Sequence, residues 1–181
     1  ALGPVETLAG VAAVTTDTAD HTTLSSETAS VHYAWGSDFV QPAGHTLEFV
    51  QKVDGVLDSN AVAYNTSPGL RPTEFFGSVL ANGTVIFANP AGVYFQDGSF
   101  VDVGNLIAGA GNLMNTPAPG ADLGFTGLEG EVVNRGEIHA GSVSLLGARV
   151  ANFGQIHVRD GSLMLLAGDE FGNSQGGNNN A

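Results

Sequence analysis

Apolar residues fall in short alternating runs along this chain, and Gly, Asn, Asp or Pro cuts most runs off. Val31 to Trp35, Thr46 to Val50, Thr84 to Ala88, Gly92 to Phe95, Ser99 to Val103, Glu131 to Asn134, Ser142 to Leu146 and Ser162 to Leu166 each read as a short β-strand. Apolar spacing of the helical kind is nearly missing, because Gly, Pro or β-branched residues interrupt it. The pattern predicts an all-β protein.

The later half repeats itself. Asn134-Arg135-Gly136-Glu137-Ile138-His139 returns as Asn152-Phe153-Gly154-Gln155-Ile156-His157, a spacing of 152 − 134 = 18. Gly141-Ser142 returns as Gly161-Ser162, a spacing of 161 − 141 = 20, so Arg159-Asp160 reads as a two-residue insertion at a corner. Gly98 to Val103 is a weaker third copy. A period near 20 with several short strands per unit is the signature of a solenoid. One unit cannot bury its apolar face alone, whereas stacked units align like residues about 4.8 Å apart in a continuous core. The L-x-x-L-x-L spacing of leucine-rich repeats and the Gly-Gly-x-Gly-x-Asp calcium motif are both missing. Asn134 and Asn152 are expected to form a side-chain ladder. His139 and His157 are expected to stack on one face, as a surface ladder in preference to a metal site, since no third ligand recurs with them. The expected organisation is a cap or irregular strands over residues 1–30, a β-helix over 31–171 and a Gly/Asn-rich tail over 172–181.

Charge narrows the function classes. Eighteen acidic residues face five basic ones, Lys52, Arg71, Arg135, Arg149 and Arg159, for a net charge of -13. Five scattered cations do not bind a phosphate backbone, which argues against nucleic acid, and anionic membranes are disfavoured likewise. The chain has no cysteine, so thiolate metal sites, disulfides and thiol catalysis are excluded together. No apolar run approaches the length of a membrane span. An opening at Ala1 in place of Met is expected of a mature chain whose signal peptide has been removed.

The segment Gly77 to Phe95 (GSVLANGTVIFANPAGVYF) carries the most specific pattern: a Gly, then Asn82-Gly83, an apolar strand, and Asn89-Pro90-Ala91-Gly92 before an apolar pair. This resembles the secretion domain of filamentous haemagglutinin-type proteins. Gly98 to Gly109 resembles the family's continuation, Trp35 to Pro42 its Trp-x-x-Phe segment, and Ala61 to Asn65 its apolar strand ending in Asn. The likeness covers about residues 30–170. The chain departs from the pattern at Asn65-Thr66, where the family has Asn-Arg, in the insertion through Pro72, and at Asn105, where the family has Gly. The resemblance implies a right-handed parallel β-helix with an N-terminal cap. It also implies an outer-membrane β-barrel transporter as partner in two-partner secretion, a secreted or cell-surface location, and adhesion, with host or matrix glycans as candidate ligands. Asn82, Gly83, Asn89, Pro90 and Gly92 become structural and recognition elements without a chemical role.

No enzyme is expected. Polysaccharide lyases and glycosidases on β-helices need clustered carboxylates at set spacing. Asp97, Asp102, Arg135 and Arg159 read instead as solvated corner residues, and no cofactor is implied. Trp35 and Tyr94 are candidate surface aromatics, the other large rings being expected in the core. A second function class stays open beside the secreted adhesin: a subunit whose open β-helix ends stack head to tail into a homopolymer.

Overall fold

Each apolar run forms a strand, and the turn residues between runs redirect the chain. The structure, a computed structural model, describes residues 2–115, 117, 122–168 and 170–172. The tail expected at 172–181 therefore lies outside the described residues, apart from Gly172. The chain enters with β1 (Val5–Ala9) and β2 (Ala12–Asp17), then makes β3 (His21–Ser26), β4 (Ser30–Trp35) and β5 (Val40–Gln41). The next pass is β6 (Thr46–Val53), β7 (Val56–Leu57), β8 (Val62–Thr66) and β9 (Thr73–Phe75). It is followed by β10 (Ser78–Ala81), β11 (Thr84–Ala88) and β12 (Val93–Phe95), then by β13 (Phe100–Asp102) and β14 (Asn105–Gly109). An excursion holds β15 (Asn112–Leu113) and β16 (Gly124–Thr126) before the chain returns as β17 (Glu131–Asn134). The last passes are β18 (Glu137–Ala140), β19 (Val143–Gly147), β20 (Arg149–Asn152), β21 (Gln155–Val158) and β22 (Leu163–Ala167), and β23 (Glu170–Gly172) rejoins the excursion.

The passes deal their strands to three sheets in a fixed rotation. One sheet runs β1-β4-β8-β11-β14-β19-β22, a second β2-β3-β6-β10-β13-β18-β21, and a third β20-β17-β12-β9-β5. Within them every pair from β3 and β4 onward is parallel, except the β6–β7 hairpin closed by Asp54-Gly55. Both residues of that turn have positive φ, 52° and 76°, as a two-residue hairpin requires. Only β1 and β2 join the sheet edges antiparallel. The expected all-β class with stacked parallel strands is what the structure shows, and the described residues contain no helix.

Register aligns like with like. Leu47, Val79, Val101 and Ile138 follow one another in the second sheet, all fully buried. Val31, Ala63, Val85, Leu106 and Val143 do the same in the first. Fully burying one such aliphatic side chain is worth about 1.5–3 kcal/mol. The aromatic rings gather in the earlier passes. Trp35 stacks on Phe39 at 4.0 Å, and Phe75 lies 4.7 Å from Phe87 and 5.2 Å from Phe95. A second cluster sits outside the first sheet, where Phe125 of the excursion covers Tyr64, Ile86 and Leu146. Gly109 makes room for it: a Cβ there would lie 2.6 Å from Cδ1 of the Phe125 ring and closer still to Cε1.

The repeats are in register at the spacings read from the sequence. Asn134 pairs with Asn152, Ile138 with Ile156 and His139 with His157, and Val143 pairs with Leu163 across the two-residue insertion. The third copy is displaced. Phe100 pairs with Glu137, so Gly98-Ser99 lies under Arg135-Gly136 in the second sheet and not under Gly141-Ser142. A Gly-Ser pair marks a turn between sheets, but such pairs lead into two different sheets, Gly98-Ser99 into the second and Gly141-Ser142 into the first. His21–Ser26, inside the stretch expected as a cap, is a full parallel neighbour of β6 with Leu24 buried in the core.

Candidate functional site

The corners around β10 are held by two buried glutamines that act alike. Gln41 accepts the Gly77 N–H at 3.1 Å and donates to the Ser78 carbonyl at 2.7 Å and the His45 carbonyl at 3.0 Å. Gln51 accepts the Gly83 N–H at 2.8 Å and donates to the Thr84 carbonyl at 3.0 Å and the Ala61 carbonyl at 3.1 Å. Each amide thus ties a glycine corner to the pass before it. Asn82 fastens the same corner from outside, accepting the Gln51 N–H at 2.7 Å and donating to the Gln51 carbonyl at 2.8 Å. Gly83 cannot carry a side chain, since a Cβ would lie 2.5 Å from the Ala61 carbonyl oxygen.

The Asn89-Pro90-Ala91-Gly92 corner is a closed turn on the next edge. The Gly92 N–H donates to the Asn89 carbonyl at 3.0 Å, and the Ala91 N–H donates to the Asn89 side chain at 2.9 Å. The buried Asn89 amide reaches back to the Arg71 carbonyl at 2.8 Å and to the Thr73 hydroxyl at 3.0 Å. Gly92 has φ of 126°, and a Cβ there would meet the Tyr94 ring at 2.9 Å. Pro90 lies between glycines: a Cβ on Gly69 would come 3.2 Å from its ring, and one on Gly130 would come 2.6 Å from its carbonyl oxygen. The insertion through Pro72 therefore forms the floor under the Asn-Pro turn.

The HMW1 secretion domain from Haemophilus influenzae, a solved structure, superposes on 95% of this chain and 46% of that chain with a TM-score of 0.84 at 23% sequence identity. Its fold is that of a secretion domain. The resemblance to haemagglutinin-type secretion domains read from the sequence is borne out. A curated relative, the heme/hemopexin-binding protein of Haemophilus influenzae, is 32% identical over an alignment of 161 positions that covers 82% of this chain. The chain spans 17% of that relative's length. No protein-family profile matches.

On the secretion-domain fold polar residues, inward and outward, stack in columns of their own. The buried Asn134 amide donates to the Asn152 side-chain oxygen at 2.9 Å, and each Asn accepts the N–H of the glycine two residues on. His139 and His157 stack with ring centroids 4.4 Å apart and planes 9° from parallel. Glu137 meets His139 at 2.6 Å, and Gln155 meets His157 at 3.2 Å. Tyr94 is half-buried and donates to Glu131 at 3.0 Å; burial, then the Glu131 contact, raises its pKa above the ordinary phenol value. Trp35 is not a surface aromatic. It is 4% exposed, stacked on Phe39, and its indole N–H donates to Asn65 at 2.9 Å. Its place at an inward position of β4, in line with Val31 and Tyr33, gives the reason. Of the corner residues weighed for chemistry, one arginine and one acid meet. Arg159 pairs with Asp102 at 3.2 Å, both exposed, and Arg135 lies 4.9 Å over the Phe153 ring.

Three contributors were missed in the sequence. Gln51 follows Leu47 and Phe49 on the inward side of β6, so a polar residue at an inward position was the available signal. Gln41 offers only a two-residue strand and no such pattern. Glu137 gives no repeat signal beside the histidines, since Gln155 occupies its place in the next pass.

Proposed function

We propose that this chain is the secretion domain of an exported two-partner-secretion protein, folded as a right-handed parallel β-helix that β1 and β2 cap. Its partner is an outer-membrane β-barrel transporter, and the protein it leads is placed outside the cell as a non-enzymatic adhesin. The observation that carries this reading is the match of nearly the whole chain to the fold of one secretion domain. The Asn82-Gly83 and Asn89-Pro90-Ala91-Gly92 corners support it, because the Asn side chain of each is tied to backbone of the preceding pass and the corner offers a rigid feature to a partner.

The test fuses a reporter after the chain and expresses it with and without the transporter of its own host. Transporter-dependent reporter in the medium is expected. Retention in the periplasm with every transporter of that host supplied overturns the reading. End-to-end assembly is the second reading, favoured by exposed apolar residues at the last pass, Phe153 at 69% and Leu163 at 49%. Electron microscopy over a concentration series tests it: fibres with an axial repeat of one domain support assembly, and monodisperse particles sink it.

A further inference from the structure

The strongest cluster of ligating groups outside the corners lies on the outward side of the second sheet. Glu137 and His139 are two apart on β18, so both point to the same side. His157 sits directly above His139 on the neighbouring strand β21. One ligand atom from each of Glu137, His139 and His157 lies within 4.8 Å of the other two. Around an ion with bonds of about 2.0–2.1 Å, tetrahedral ligand atoms stand about 3.3 Å apart. Small side-chain rotations close that gap, since Glu137 and His139 are already in contact at 2.6 Å.

The rings are arranged for one ion. Residues two positions back, Glu137 and Gln155, hold the two Nε2 atoms, and the near-parallel planes aim both nitrogens the same way. Phe100 flanks the His139 ring at 5.4 Å from the pass below. The other charged groups nearby are Asp102, one place below His139 in the ladder and engaged by Arg159, and Arg135, which lies over Phe153. The surface is partly exposed, so an ion reaches it from solvent, and the net charge of -13 concentrates cations around the molecule.

We propose that Glu137, His139 and His157 form a surface site for one divalent transition-metal ion of the zinc, copper or nickel kind, bridging β18 and β21. Two imidazoles and one carboxylate suit these ions, whereas calcium and magnesium take all-oxygen sets. Water or the Gln155 side-chain oxygen completes the shell. Each imidazole binds as the neutral ring through the Nε2 lone pair, with its proton on Nδ1, and only a ring that starts as imidazolium gives a proton to solvent. The ion cross-links adjacent passes near the end of the stack, where the apolar residues of β22 are exposed.

The test is calorimetric titration of zinc chloride, then copper and nickel chlorides, into the untagged full chain, paired with thermal melts. One ion per chain is expected, with a higher melting temperature. His157→Asn and His139→Asn should each weaken binding at least tenfold, Glu137→Gln less, and His32→Asn not at all. His157 is exposed, so its variant keeps the fold, which circular dichroism verifies. Titrating zinc into the protein while following histidine ring signals by nuclear magnetic resonance gives a second readout. Affinity weaker than millimolar for all three ions, or affinity unchanged in His157→Asn, overturns the proposal.

Discussion

Replacing Gln51 by Ala isolates what one buried amide contributes to a corner. Gln51 is 1% exposed and makes three side-chain hydrogen bonds, one to Gly83 N–H and two to carbonyls of Thr84 and Ala61. The Ala61 carbonyl retains the Thr84 N–H at 2.9 Å, so it keeps a partner. The Gly83 N–H loses its acceptor, and a buried orphan donor costs about 1–3 kcal/mol. The vacated side-chain volume adds about 1 kcal/mol. Gln51→Ala should therefore lower the unfolding free energy by about 3 kcal/mol. With a urea slope of about 2 kcal/mol/M, the midpoint falls by about 1.5 M. Gln51→Glu should lose as much at neutral pH, since a carboxylate accepts from Gly83 but faces the two carbonyls with no proton. Gln155→Ala is the control, exposed and at the surface end of the stack. A midpoint for Gln51→Ala within about 0.3 M of the parent, at an unchanged slope, would refute the claim that the amide holds the corner.

Asn89→Ala should cost about 2 kcal/mol in the same assay, because it strips the Ala91 N–H, the Arg71 carbonyl and the Thr73 hydroxyl of one shared partner. Burial lowers the His45 pKa below 6.5, so the unfolded chain takes up the proton first as pH falls. That contribution to stability is whole above about pH 6.5 and is lost as pH drops below it, and urea midpoints at about pH 7.5 and pH 5 should differ less in His45→Gln than in the parent. Gly109→Ala should push Phe125 off the first sheet and speed amide exchange across β15 and β16, with the three-sheet core unchanged. Uniform exchange rates in that variant would count against the packing described.

Much of the fold was legible because its signals are local and repeat. Alternation within a strand fixes which residues face inward, and the Asn–Gly–Ile–His repeat fixes which strand lies above which. Those two facts place Asn134 on Asn152 and His139 on His157. The less legible parts depend on residues that meet without a repeat. Gln41 and Gln51 serve different corners through one hydrogen-bond scheme, yet they stand in unlike surroundings in the sequence. The weak copy at Gly98-Ser99 misleads because Gly-Ser pairs precede strands of two different sheets, and only strand pairing says which turn is meant. The excursion was invisible for a related reason. Nothing near Phe125 announces that its ring will rest on Gly109, since the cue is the lack of a side chain on a strand sixteen residues earlier (125 − 109).

The pairing of β16 with β23 sets an order of events in time. Thr126 waits for Glu170, 170 − 126 = 44 residues later, while strands of the stacked sheets mostly wait for the next pass. A chain that emerges from its N-terminus has the partners of its aromatic passes to hand sooner, since Val85 pairs with Leu106, 106 − 85 = 21 residues later. The outer edge of β16 stays without a strand until residues 170–172 arrive, and an unpaired edge is open to any extended segment nearby. Completion of that small sheet is thus a clock on the chain: it closes only after every pass between the excursion and β23 has been delivered.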